Sequence, residues 1–190
     1  MKAVQKETKG VKTREALIEL TCEVFNKKGI DITLKELSDE LNIGISQFIN
    51  HFGTKDKLFI AIASKYNESY TEMMKLYFNE NPFDLYNIVV VFSKIMDLQY
   101  KYRSSLIAVI SRCNSEKIIH DHITETYSHS SATVQEFIKK MVQIGTLENS
   151  ILEKEHFLIF NFQFVNLYTT WIVSKEMYDT NLDIVKAKQI

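Results

Sequence analysis

The sequence predicts an all-α fold in which an N-terminal three-helix helix-turn-helix domain (residues 1–53) is joined by a fourth helix to a larger helical domain (residues 54–190). Three observations carry this. The 190 residues hold one proline and five glycines, with 45% apolar residues, and strands would need turn residues every ~8–12 positions. Four of the five glycines (Gly10, Gly29, Gly44, Gly53) fall in the first 53 positions, so short elements come first and long ones follow. The stretch LKELSDELNIGISQFINHFGTKDKL, Leu34 to Leu58, reads as two short helices about a tight turn and the start of another.

The first helix is expected over about 13–28, because Ala16, Leu17, Leu20, Val24 and Phe25 recur at helical spacing. Lys27 and Lys28 suit the negative end of its dipole, and Gly29 caps it. Thr33 and Glu36 form a capping box for the second helix, with Ile32 and Leu37 as a hydrophobic staple. The chain must then turn sharply between Leu41 and Ile43. That needs a residue tolerant of positive φ, and asparagine, present at 42, is the next choice after glycine. Leu37, Leu41, Ile43 and Phe48 are spaced to fill the small core between the two crossing helices.

The third helix is expected over about 45–50, with Gly44 at its N-cap, and the fourth from Thr54 past Tyr77. Asn81-Pro82 predicts a stop and a restart, with Asn81 as cap and Pro82 at the first position of a fifth helix reaching Tyr100. A sixth helix is expected at 104–112, a seventh at 116–144 closed by Gly145, an eighth at 152–178, and a short helical tail after Asn181.

Charge is nearly balanced overall, at −1, but unevenly spread. Residues 1–66 hold 11 Lys/Arg against 9 Asp/Glu (+2), and residues 67–190 hold 12 against 15 (−3). Lys2, Lys6, Lys9, Lys12 and Arg14, opposed by Glu7 alone, make a basic arm suited to a phosphate backbone or to a solubilising tail. The polar, lysine-rich start predicts no signal peptide. Cys22 and Cys113 match no metal spacing and are expected as ordinary thiols in a reduced cytoplasmic setting. The charge-free run 157–174 contains Asn161, Gln163, Asn166, Thr169 and Thr170, costly in lipid, and so is expected to be buried in protein, not in a membrane.

Arg14, Phe25, Gly29, Thr33, Leu37, Ile43, His51-Phe52 and Thr54-Lys55-Asp56-Lys57-Leu58 resemble, in identity and spacing, the N-terminal domain of the TetR family of bacterial transcriptional regulators over about residues 12–62. The resemblance implies a homodimeric, ligand-responsive regulator, acting as a repressor on a pseudo-palindromic double-stranded DNA operator. The sequence has no nucleophile elbow, phosphate loop or paired catalytic carboxylate, so no enzyme activity and no cofactor are expected. Ile45, Ser46, Gln47 and Asn50 would face the major groove, while Thr33, Lys35, Lys55 and His51 would contact phosphates. The family commonly has tyrosine where Ile49 stands and a cation near Ile45; both are absent here. Readout then falls to amides, since Gln or Asn can bind adenine N6 and N7 as a pair. The competing reading is an all-helical interaction module that uses the same hairpin for packing or for a protein partner.

In the larger domain, Phe157, Phe160, Phe164, Leu167, Trp171 and Ile172 fall near one stripe of the eighth helix, with Ile159, Phe162, Val165 and Val173 on other faces. A helix apolar nearly all round needs cover on both sides, which predicts a twofold dimer on this helix. The resemblance further implies a pocket for a small, partly apolar effector. Phe92, Tyr100, Tyr127, Phe160, Asn161, Phe164 and Trp171 are its candidate residues. His122, Glu125 and His129 share a helical face, a spacing that suits either metal ligands or a solvated polar surface.

Overall fold

A computed structural model describes residues 9–177. It contains eight α-helices and no strand among those residues: α1 (Lys9–Lys28), α2 (Leu34–Glu40), α3 (Ile45–Phe52), α4 (Lys55–Glu80), α5 (Leu85–Lys101), α6 (Arg103–Arg112), α7 (Lys117–Gln143) and α8 (Lys154–Met177). The tail expected after Asn181 lies outside the described residues, as do the first eight positions of the basic arm.

The buried stripe of α1 is Leu17, Ile18, Thr21, Cys22, Val24 and Phe25, the i, i+3/i+4, i+7 pattern of a helix packed on one side. The helix ends where Gly29 takes φ +89° and its N–H donates to the Phe25 carbonyl at 2.9 Å. At the start of α2 the Thr33–Glu36 capping box is formed in both directions. Leu37 is fully buried, and Ile32 packs against the same core. Asn42 takes φ +51°, the one non-glycine residue with positive φ among the described residues. Around it the Ile43 N–H donates to the Ser38 carbonyl at 2.9 Å, closing the turn.

The α4–α5 connection differs from expectation. Asn81 does not open α5 but closes α4: its N–H and its Nδ2 both donate to the Tyr77 carbonyl, at 3.0 and 2.9 Å. Its φ of −125° and ψ of 145° are the extended geometry that a following proline imposes. Asp84 caps α5 instead, its Oδ1 accepting from the Asn87 N–H at 2.8 Å. A 3-10 turn at Asn149–Leu152, absent from the sequence reading, delays α8 to Lys154.

The main core runs without a break from Leu17 on α1, through Phe48, Phe59 and Ile62, to Tyr102, Ala108 and Ile119. The N-terminal helices and α6 therefore share one interior. Phe25 and Phe59 meet at its centre, ring centroids 5.1 Å apart.

Polar contacts close the same seam. Asn26 Nδ2 donates to the Lys101 carbonyl at 2.6 Å, and Asn26 Oδ1 accepts from the Ser104 N–H at 3.2 Å. Ser104 Oγ donates to the Phe25 carbonyl at 3.1 Å, and Arg103 Nη2 to the Asn26 carbonyl at 3.3 Å. Arg103 also lies 3.5 Å from Glu176 on α8. Two carbonyls of the last turn of α1, those of Phe25 and Asn26, thereby accept from the α5–α6 junction.

The Cys22 thiol donates to the same Lys101 carbonyl at 3.2 Å. Burial, reinforced by the nearby Glu19 carboxylate, pushes it from an ordinary 9.0 up to about 11. The folded chain therefore holds this proton more tightly than the unfolded chain does. Stability should fall as pH rises from about 9 towards about 11, whereas a Cys22→Ala variant should lose that part of the decline. Urea unfolding at several alkaline pH values checks this.

Candidate nucleic-acid interface

The geometry of α3 follows from which of its residues the core takes. Phe48 and Phe52 are buried, their rings 6.5 Å apart, and anchor the helix to α1 and α4. Arg14 sits over the Phe52 ring at 5.2 Å. Every other residue from Ile45 to Asn50 is then forced outwards. Ile45, Ser46, Gln47, Ile49 and Asn50 are exposed together, and none carries a charge. The four residues expected to read bases thus share one solvent-facing surface. His51 is half-buried, its ring 6.1 Å from that of Phe52.

The expected phosphate contacts are placed less simply. Thr33 and Lys35 are exposed at the start of α2. Both Thr33 donors, however, are engaged by Glu36: the backbone N–H and the hydroxyl each reach Glu36 Oε2 at 2.7 Å. Those hydrogen bonds hold the Glu36 carboxyl below its ordinary range. A phosphate approaching Thr33 would meet a carboxylate. Lys55, in the first turn of α4, is half-buried with its ammonium 5.7 Å from the Phe59 ring centroid. Burial lowers its pKa; the neighbouring Asp31 opposes that shift, and the charge of Arg112 adds to it. Sequence reasoning missed Glu36 and Asp31 as counter-charges here, although the capping box itself located Glu36.

The residues expected to line an effector pocket do not gather into one site. Phe92, Phe160 and Phe164 do come together: Phe92 lies 5.6 Å from Phe164, and Phe160 stacks on Phe164 at 5.5 Å. Phe83 and Phe137 extend the cluster, 5.3 Å from each other, with Phe137 6.4 Å from Phe92. Asn161 is buried beside them in sequence, its Nδ2 donating to Ser131 Oγ at 3.2 Å, while its Oδ1 is buried without a hydrogen-bond partner among the described residues.

Tyr100 and Trp171 lie elsewhere. Tyr100 is held between cations, with Arg103 at 4.2 Å and Lys175 at 5.2 Å from its ring centre. Trp171 donates its indole N–H to Gln99 Oε1, and Gln99 donates to the Tyr66 hydroxyl at 3.2 Å, tying α8, α5 and α4 together. Tyr127 is exposed. Helical periodicity places these residues on their helices but does not fix the neighbour each one faces.

Open depressions lie instead on the outer seam of α4 and α5. One of about 400 Å³ is lined by Ser69, Glu72, Met73, Leu76, Tyr77, Glu80 and Lys94. His122, Glu125 and His129 do not converge: among the described residues no group of three His, Cys, Asp or Glu side chains is placed to hold a metal ion. No helix among those residues is long and apolar enough to cross a membrane.

A helix with an uncharged outward surface, pinned by two buried rings after a tight turn and carried by an all-helical body, defines a helix-turn-helix domain. Residues 17–62 match the family model of bacterial regulatory proteins of the tetR family, and the chain carries the domain and the fold of TetR-family transcriptional regulators. Among solved structures, the fatty acid degradation regulator FadR from Bacillus halodurans is similar in fold, with a TM-score of 0.74 at 11% identity over 97% of this chain and 93% of that one. A TetR-family regulator from Marinobacter aquaeolei reaches 0.71 at 18% identity, over 90% and 83%. A TetR-family regulator from Pectobacterium atrosepticum reaches 0.64 at 14%, over 96% and 93%. No curated protein matches the chain by sequence.

Proposed function

We propose that the chain is a ligand-responsive repressor that binds a pseudo-palindromic operator as a homodimer. The observation that carries this reading is the α3 surface: five adjacent exposed residues, two of them amides, presented by a helix that the core holds from behind. Gln47 and Asn50 pair with adenine N6 and N7, and Lys35, His51 and Lys55 flank them as phosphate contacts, with Thr33 joining them once its donors are released from Glu36.

Dimerisation is supported by α8, where Leu158, Ile159, Phe162 and Leu167 are 57, 60, 64 and 75% exposed. So much apolar side chain on one helix is a surface awaiting cover. A second copy related by a twofold axis supplies that cover and sets two heads about 34–36 Å apart, the spacing of successive half-sites. The Phe92–Phe137–Phe160–Phe164 cluster and the Asn161 Oδ1, unpartnered among the described residues, suit an effector with an apolar body and one hydrogen-bond donor. The fatty-acid role in the name of the Bacillus halodurans neighbour agrees with an apolar effector. This pocket would open only with movement of the rings.

The test is binding to DNA upstream of its own gene across a salt series. A dimer bound with affinity that falls as salt rises, with Gln47→Ala relaxing preference at one base pair per half-site, is the expected result. Binding equal on all sequences would sink the operator reading. The same assay addresses Glu36: Glu36→Gln retains a cap but removes the charge facing the phosphates, so at low salt it should tighten binding about fivefold, the size of one exposed unit-charge interaction at contact distance. Unchanged affinity would show that no phosphate approaches Thr33.

A further inference from the structure

The α3 surface has two exposed isoleucines, Ile45 and Ile49, at 43 and 48% exposure. They stand four residues apart, so they lie about 40° apart around the helix and about 6 Å apart along it. Together they make an apolar ridge on one flank of the reading face. Ser46 and Asn50 run beside the ridge at the same spacing, and Gln47 occupies the far flank.

A ridge of this kind has no role against water and none in the core, which Phe48 and Phe52 already close. In a major groove the one apolar group that a base edge offers is the thymine C5-methyl. Resting on the operator reading above, the geometry points to Ile45 and Ile49 as specificity determinants that read two thymine methyls on one strand. The ~6 Å between them matches about two base-pair steps of ~3.4 Å, so the two thymines are separated by one intervening base.

The rest of the face agrees with this assignment. A guanine is most often read by arginine or lysine on O6 and N7, and α3 has neither. Its amides suit adenine, the partner of thymine in the same base pair. Apolar ridge and amide flank therefore select the same base pairs from opposite strands, and the core of each half-site is A·T.

The experiment selects half-sites from a random duplex library with the full-length protein. It then replaces each core thymine by deoxyuridine, which keeps base pairing and removes only the methyl. Expected are A·T pairs at the core and a loss of about fourfold per methyl removed, the factor for leaving one methyl-sized group unburied. Ile45→Ala should abolish the effect of one deoxyuridine and Ile49→Ala that of the other. Both side chains are exposed, so these variants keep the fold, and circular dichroism confirms it. A selected core of G·C pairs, or thymine and deoxyuridine bound alike by a protein that still selects its site and loses selection in Gln47→Ala, overturns this assignment and leaves the operator reading standing. Selection of no sequence at all overturns both.

Discussion

Phe59→Ala is expected to cost about 3–5 kcal/mol, the usual loss for deleting a fully buried aromatic ring. The side chain is completely inaccessible, packs its ring 5.1 Å from that of Phe25, and has Lys55 and Arg112 over its faces. From α4 it touches both Phe25 of α1 and Arg112 of α6. Removing it leaves a cavity that three rigid helices cannot close, and the loss is a large fraction of the ~5–15 kcal/mol that holds a domain together. Chemical denaturation should show one transition shifted to lower urea for the whole protein. Two separated transitions, with only the N-terminal one shifted, would show that the core is not continuous. Phe59→Leu, which leaves a smaller void, should fall between the variant and the parent.

Asn26→Ala is the second large effect, expected at about 2 kcal/mol. One side chain serves the Lys101 carbonyl and the Ser104 N–H, both on the α5–α6 junction; its loss strands the Ser104 N–H and leaves the Lys101 carbonyl to the Cys22 thiol alone. The readout that separates this from a general weakening is local. The Ser104 amide should exchange with solvent faster than amides at the middle of α4. Asn26→Asp retains the acceptor for Ser104 but sets a carboxylate against the Lys101 carbonyl, so it should keep the Ser104 amide protected while still losing stability. Equal exchange in the parent and Asn26→Ala would refute the assigned hydrogen bond.

Much of the N-terminal part was legible because its determinants are local. Thr33, Glu36, Asn42 and Gly29 each act on backbone within four residues, and the structure places each as read. Asn81-Pro82 predicts a stop and a restart; the stop is in place, but the restart comes three residues later than a capping Asn and an opening Pro suggest. The same asparagine can equally close the preceding helix, and Asp84 three positions on offered a better cap. The Asn26 contacts left no trace in the sequence, since their partners lie 75 and 78 residues away. The aromatic residues of the C-terminal part were found as a class, but a periodicity of 3.6 fixes only a face. Whether Tyr100 meets Phe164 or Lys175 depends on how helices cross, and nothing local encodes that.

The unbroken interior from Leu17 to Ile119 bears on how the proposed effector would act on the proposed DNA contact. With α1 fastened to the α5–α6 junction and α4 buried in the same core, the reading helix has no swivel of its own. It turns only when α4 and α6 turn, so the proposed dimer would adjust its grip by the angle between copies. The 26 residues of α4 make an arm of about 39 Å. A tilt of about 5° at its far end then carries the reading helix about 3.4 Å, one base-pair step. Such a molecule works like a caliper: stiff jaws, and a small rotation at the joint that decides whether both tips fit their marks.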